Sequence, residues 1–284
     1  MIREQATEGH SILEWCNLLD VSTSGYYAWV ERQPSRREQA NEALAKKIRQ
    51  VHGESRKTYG SPRVTLALRY QGERCSRKRV AQIMKQNGLH GVQKARYRPR
   101  TTDSRHAWPI SPNRLGEGWT VERINQVWVS DITYLPTREG WLYLAAFMDL
   151  KSRTIKGWTI RDHMRTELVE TAFLRAVGRH GCPSGLIVHS DRGSQYASQD
   201  FRSLLDRHRV LSSMSAKGNC YDNAAMESFW ATLKTDLGIG QPFKTKEEAR
   251  RTIFDYIEAF YNRRRIHSSI GGLSPLDYEL KSVA

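Results

Sequence analysis

Three acidic side chains occur where the surrounding sequence makes a charge costly. Asp131 lies inside the run QVWVSDITYL, residues 126–135, which is rich in β-branched and aromatic residues. One face of that run reads Val127, Val129, Asp131, Thr133 and Leu135; the other reads Trp128, Ser130, Ile132 and Tyr134. Both faces look covered, so the run reads as a central strand with an acid in its interior. A buried carboxylate is costly unless it is paired or binds a metal. Asp191 follows the apolar run Leu186 to Ser190, at the carboxyl end of a strand, where open α/β sheets place their sites. The plain alternative is a cap on the Arg192-Gly193 turn. Glu227 sits at the edge of a helical stripe formed by Met226, Phe229, Trp230, Leu233 and Leu237. Lys234 follows seven residues later, roughly 20° short of two turns, so it points the same way about 10 Å along the axis. A solvated Glu–Lys face is the alternative for that pair.

Fifty-nine residues separate Asp131 from Asp191, and 35 separate Asp191 from Glu227. A first strand, a fourth strand and a late helix can bring three oxygen ligands to one point. Carboxylates without paired His or Cys suit a hard cation such as Mg²⁺. Two such ions about 3.5–4 Å apart clamp the attacking and leaving oxygens of an in-line phosphoryl transfer.

The charge distribution names a substrate for such chemistry. The chain carries 45 Lys and Arg against 30 Asp and Glu, a net +15. Residues 1–50 are neutral, with seven of each sign, whereas residues 51–100 hold 13 basic and two acidic side chains, a net +11. A block this basic is an electrostatic footprint for a polyanion.

The elements that must position these residues fall into four stretches. Residues 1–98 read as a helical DNA-binding region, with helix-turn-helix units at about 10–30 and 61–90. In the second unit Pro62 opens one helix and Ser76 caps the next. That helix turns Val80, Ile83 and Met84 inward and Arg77, Lys78, Arg79 and Lys85 outward, toward a major groove. Residues 99–120, with Pro99, Pro109 and Pro112, read as a linker. Residues 121–240 read as strands near 126–135, 141–150 and 154–160, a helix at 166–180, a short strand at 185–189, a helix at 198–208, a strand at 210–213 and a helix from about 223 to 237. This is an α/β layout with a mixed five-stranded sheet flanked by helices. Residues 241–284 form a C-terminal basic extension with a long helix near 246–264.

The spacing and the words around the acids resemble the DDE transposases and retroviral integrases, and most closely the second-frame product (OrfB) of bacterial insertion sequences typified by insertion sequence three. The resemblance rests on residues 128–134 (WVSDITY), 189–196 (HSDRGSQY), 218–224 (GNCYDNA) leading to Glu227, and the closing motif Tyr261-Asn262, Arg265, His267, Gly271 and Pro275. It extends from the second helix-turn-helix to Tyr278. It implies a ribonuclease-H-like catalytic domain preceded by an all-α helix-turn-helix domain. It further implies that Asp131, Asp191 and Glu227 hold two Mg²⁺ or Mn²⁺ ions. Hydroxide would nick the element's end, and the freed 3′-OH would attack a phosphodiester, commonly on the same strand, giving a circular intermediate. Lys234 matches a basic residue that contacts DNA beside the metals. His189, Asn219 and Asn223 fall within the motifs and would orient DNA or the carboxylates, with packing or capping as the alternative. The implied partners are double-stranded DNA at the element ends and target, further copies of the chain, and an upstream-frame OrfA protein or frameshift fusion. A non-catalytic DNA-binding regulator or a plain metal-dependent nuclease with the same fold stays open as the alternative.

Other classes are disfavoured. The longest apolar run, Trp141 to Met148, is eight residues against the roughly 20 of a membrane helix. Glu4, Glu8 and Glu14 replace the apolar stretch of a secretory signal. Cys16, Cys75, Cys182 and Cys220 stand far apart, which fits a reducing cytoplasm, with the protein on the bacterial nucleoid. Asp149, Trp230 and Arg263-Arg264-Arg265 are weaker candidates. They read as a turn cap, a core residue or DNA-stacking ring, and a solvated or phosphate-contacting helix end.

Overall fold

The computed structural model describes residues 11–92, 108–116, 119–216 and 223–283. The chain divides into two compact units, residues 1–49 and 50–284.

The first unit holds α1 (Ile12–Leu18), α2 (Thr23–Val30) and most of α3 (Arg36–Glu54). Local chemistry sets the first two helices. Ser11 and Glu14 form a reciprocal capping box, and the Ser22 hydroxyl accepts from the Gly25 amide. The apolar residues of α1 are only partly buried. Cys16 is fully buried, whereas Leu13 and Leu18 are exposed.

The second unit opens with α4 (Ser61–Tyr70) and α5 (Arg77–Gln86), which pack on each other. Val64 and Leu68 of α4 and Val80, Ile83 and Met84 of α5 are buried. The Ser76 hydroxyl caps α5 by accepting from the Arg79 amide.

Five strands follow: β1 (Val127–Thr137), β2 (Gly140–Asp149), β3 (Ile155–Arg161), β4 (Ile187–Ser190) and β5 (Leu211–Met214). Their order in the sheet is β3-β2-β1-β4-β5, so β1 is central, as its two-sided apolar pattern requires. The pairs β1–β2 and β2–β3 are antiparallel; β1–β4 and β4–β5 are parallel. One face is covered by α6 (Thr166–His180), the one-turn α7 (Ser194–Ala197) and α8 (Gln199–Arg207). Leu168, Phe173 and Phe201 meet Trp128 and Phe147 there. Helix α6 lies hard against β3: a Cβ on Gly157 would land on the Ala172 carbonyl oxygen and the Ala176 nitrogen. This is the expected ribonuclease-H-like mixed sheet.

Helix α9 (Ala224–Asp236) packs on β1, and α10 (Lys246–Phe254) follows. The long helix expected near 246–264 changes winding. Residues Asp255–Tyr261 form a π-helix, because the wider turn lets Tyr256, Ile257, Phe260 and Tyr261 all be buried. The last helix is α11 (Pro275–Val283). None of the described helices is long and apolar enough to cross a membrane.

Candidate active site

The β1–β4 pairing sets the two aspartates side by side. Parallel register joins Val129 to His189, so Asp131, two residues on, and Asp191, just past the end of β4, rise on adjacent strands. Asp131 is held at both oxygens. Its Oδ1 accepts from the Ile132 amide at 2.8 Å, and its Oδ2 accepts from the Trp230 indole N–H at 3.0 Å. Asp191 Oδ1 accepts from the Gly193 amide at 3.0 Å, the turn contact expected for an acid at that position.

Electrostatics joins the third acid to these two. Burial pushes the Asp131 carboxyl up to about 7, helped by the negative charges of Asp191 and Glu227 and opposed by the two donated hydrogen bonds. Glu227 stands exposed in the first turn of α9, and Trp230, one turn on, is the residue that reaches Asp131. Lys234, two turns beyond Glu227, feels the charge of Asp131. Burial pushes its ammonium down, and the charge of Asp131 opposes that. Among the described residues no group of three His, Cys, Asp or Glu is close enough to hold a metal ion. The structure thus brings Asp131 and Asp191 together on the sheet and sets Glu227 across from them on α9.

The remaining candidates separate by environment. Asn223 occupies the N-cap position of α9 but makes no cap. It is 7% exposed, and its Nδ2 reaches the Ser130 carbonyl at 3.5 Å. Among the described residues its Oδ1 is buried with no hydrogen-bond partner, and Ser130 is one residue along β1 from Asp131. Asn219 lies outside the described residues. His189 is fully buried between the Ser213 and Ser215 hydroxyls, at 2.9 and 3.1 Å, which ties β4 to β5. Asp149 accepts from the Asn125, Lys151 and Ser152 amides and organises the β2–β3 turn. Arg77, Lys78 and Lys85 are exposed on α5, and Arg79 is half-buried there.

The contact from Trp230 to Asp131 is the feature that sequence reasoning missed. Trp230 is 6% exposed and packs on Phe229 at 4.7 Å, so the apolar stripe predicts its burial but not the direction of its N–H. The available signal is that an indole one turn from Glu227 shares its helix face.

This chain matches known proteins along most of its length. The family described as integrase core domain matches residues 121–220, a second family of that description matches 227–283, and an HTH-like domain family matches 38–97. An uncharacterized 31 kDa protein of insertion element IS600 from Shigella sonnei is 43% identical, over 94% of this chain and 97% of its own. Transposase InsF for insertion sequence IS3A of Escherichia coli (strain K12) is 41% identical over 96% of both chains. The magnesium-bound catalytic core of HTLV-2 integrase aligns with 54% of this chain and 95% of its own, at 16% identity and a TM-score of 0.42. With more than 40% identity spanning nearly the whole of both sequences, the chain belongs to the IS3 family of insertion-sequence transposases.

Proposed function

We propose that Asp131, Asp191 and Glu227 are the catalytic and metal-holding carboxylates of this DDE transposase, which cleaves DNA at insertion-sequence ends and transfers the strand. The observation that carries this reading is the juxtaposition of Asp131 and Asp191 on adjacent strands, with the Asp131 carboxyl pushed up by burial and, further, by the charges of Asp191 and Glu227. A divalent cation relieves such a crowd of like charges. The donor set fits two Mg²⁺ or Mn²⁺ ions: every candidate ligand is an oxygen, and the orphaned Asn223 Oδ1 is a further oxygen close by. When bound, the ions supply Lewis acidity to the attacking and leaving oxygens of a phosphodiester.

The chain's own groups do the positioning. The Ile132 and Trp230 donors each occupy one lone pair of an Asp131 oxygen and leave the other free, so the carboxylate is oriented before anything binds. Lys234 cannot ligate a cation while charged, and holds a DNA phosphate or base near the element's end. Asn219 and Asn223, in the same motif, are the further residues assigned to hydrogen-bond that end. Arg77, Lys78, Arg79 and Lys85 contact the phosphate backbone from α5.

The same reading divides the chain into a DNA-binding region (1–98), a linker (99–120), the catalytic core (121–240) and a basic extension (241–284). The protein works in the bacterial cytoplasm on the nucleoid, as an assembly of copies on DNA, alone or with an upstream-frame OrfA protein or as a frameshift fusion. Strand transfer with oligonucleotides carrying the element ends tests the acids. Asp131→Asn, Asp191→Asn and Glu227→Gln are each expected to abolish cleavage and joining while DNA affinity stays within about threefold. Near-normal joining by any one of them removes that residue from the site.

A further inference from the structure

The closing motif takes no part in the carboxylate site, yet it gathers cations. Arg265, 2% exposed, donates through Nε to Asp236 Oδ2 at 2.6 Å, and the Tyr256 hydroxyl donates to the same oxygen at 2.8 Å. The charge of Asp236 is therefore taken up. Two further arginines come to this spot from distant parts of the sequence. The Tyr59 hydroxyl accepts from the Ile266 amide at 2.7 Å, and Arg63, in the first turn of α4, lies over the Tyr59 ring at 5.8 Å. From the other side Asn262 grips Ile155, its Oδ1 accepting from the amide at 2.9 Å and its Nδ2 donating to the carbonyl at 3.0 Å. That grip sets the β2–β3 turn, with Arg153 at φ +66°, beside Tyr261.

His267 is where these cations meet. Its ring stands edge-on to Tyr261 at 5.0 Å, and its Nε2 is buried with no hydrogen-bond partner among the described residues. Burial, with Arg265, Arg63 and Arg153 adding to it, pushes the imidazole down to about 3, so it stays neutral. Arg63 and Arg153 are half-buried, and among the described residues neither makes an ion pair with a carboxylate. Exposed Arg263 and Arg264 flank the cluster.

Partly buried positive charges without a paired carboxylate are costly to a folded protein, and a guanidinium fork matches a phosphate. The start of α4, whose N-cap Gly60 offers no side-chain cap, adds the positive end of a helix beside Arg63. We propose that Arg63, Arg153 and His267, backed by Arg265, form a second anion site that takes a backbone phosphate of the bound DNA. In this reading the closing motif is a DNA contact, built jointly with the helix-turn-helix-like domain and the β2–β3 turn. Asp236, which anchors Arg265, stands nine residues along α9 from Glu227, about 13 Å along the helix axis, so the cluster is built around a different point of α9.

Thermal denaturation of the full chain, with inorganic pyrophosphate as the probe, separates a binding site from a structural cluster. The double variant Arg63→Gln, Arg153→Gln is expected to melt at or above the parent temperature in phosphate-free buffer, because like charges are removed. Pyrophosphate is expected to raise the melting temperature of the parent and not of the double variant. Duplex DNA binding should weaken about tenfold at 0.1 M salt, and the log–log salt slope should fall by roughly 1 per lost phosphate contact. Arg63→Lys, Arg153→Lys keeps the charge and should keep the slope. A double Gln variant that melts lower yet keeps both the pyrophosphate response and the parent salt slope overturns the proposal.

Discussion

Replacing Asp131 with asparagine should make the protein more stable while ending its catalysis. The carboxyl rises from 3.8 to about 7 on folding, through burial and the charges of Asp191 and Glu227. At about 1.4 kcal/mol per pH unit, the ionised side chain costs the fold up to roughly 4 kcal/mol. Asparagine removes that cost but has one acceptor oxygen for the two donors, Ile132 N–H and Trp230 Nε1–H. One orphaned donor takes back about 1–2 kcal/mol. The expected net gain is roughly 2 kcal/mol, or about 4–8 °C in melting temperature for a chain of this size. The sign follows from the direction of the shift. A carboxyl raised above its unfolded value costs nothing below about pH 4, and the parent loses stability as pH climbs from there through 7. The variant's advantage should therefore be full at pH 8 and absent or reversed at pH 4. Thermal melts of both proteins at the two pH values, without divalent ions, measure it. Adding Mg²⁺ or Mn²⁺ at pH 8 should raise the parent and narrow the gap. A variant that melts below the parent at pH 8, or with the same difference at both pH values, refutes the reasoning.

Lys234→Ala should lower cleavage of element-end DNA roughly tenfold at limiting substrate, with part of the loss restored at high DNA and by Lys234→Arg; unchanged cleavage returns Lys234 to a solvated helix face. Gly157→Ala should cost about 2–3 kcal/mol in urea unfolding, because its Cβ meets the α6 backbone rather than a side chain that can move. Burial alone would raise the Glu279 carboxyl, but hydrogen bonds from Lys156 and Ser152 outweigh it and hold the group below its usual 4.5. Its stabilisation is thus present above that value and lost as pH falls below it. Glu279→Gln leaves Lys156, 1% exposed, without its 2.7 Å partner. It should cost about 3 kcal/mol at pH 7, a difference that melts should show closing only below about pH 4.5.

The parts of the fold that were legible in the sequence depend on local rules. The two-sided apolar pattern around Asp131 read as a central strand, and β1 is central. The hydroxyl of Ser76 caps a helix where a small polar residue preceded an apolar stripe. What was illegible depends on contacts between distant segments. The π-helix at Asp255–Tyr261 packs Tyr256 against Asp236, and no periodicity within 246–264 encodes that partner. Asn223 was correctly placed at a helix start, but its side chain turns to Ser130 rather than capping, because β1 lies beneath it. The candidate carboxylates were picked out by type and spacing. The donors that orient Asp131 depend on how α9 lies over the sheet, which spacing does not carry.

The sheet order also sets a timetable for the chain as it leaves the ribosome. Strands β1, β2 and β3 pair with their sequence neighbours and can form a meander as soon as they emerge, with Asp131 already in place on it. Its neighbour Asp191 arrives only when β4 pairs across some sixty residues, and Glu227 only with α9. An unfinished chain therefore carries Asp131 alone until β4 pairs, and Asp131 with Asp191 but not Glu227 until α9 emerges. On the proposed assignment of the three acids, the site is complete only once synthesis has passed α9, and a chain that stops earlier lacks Glu227.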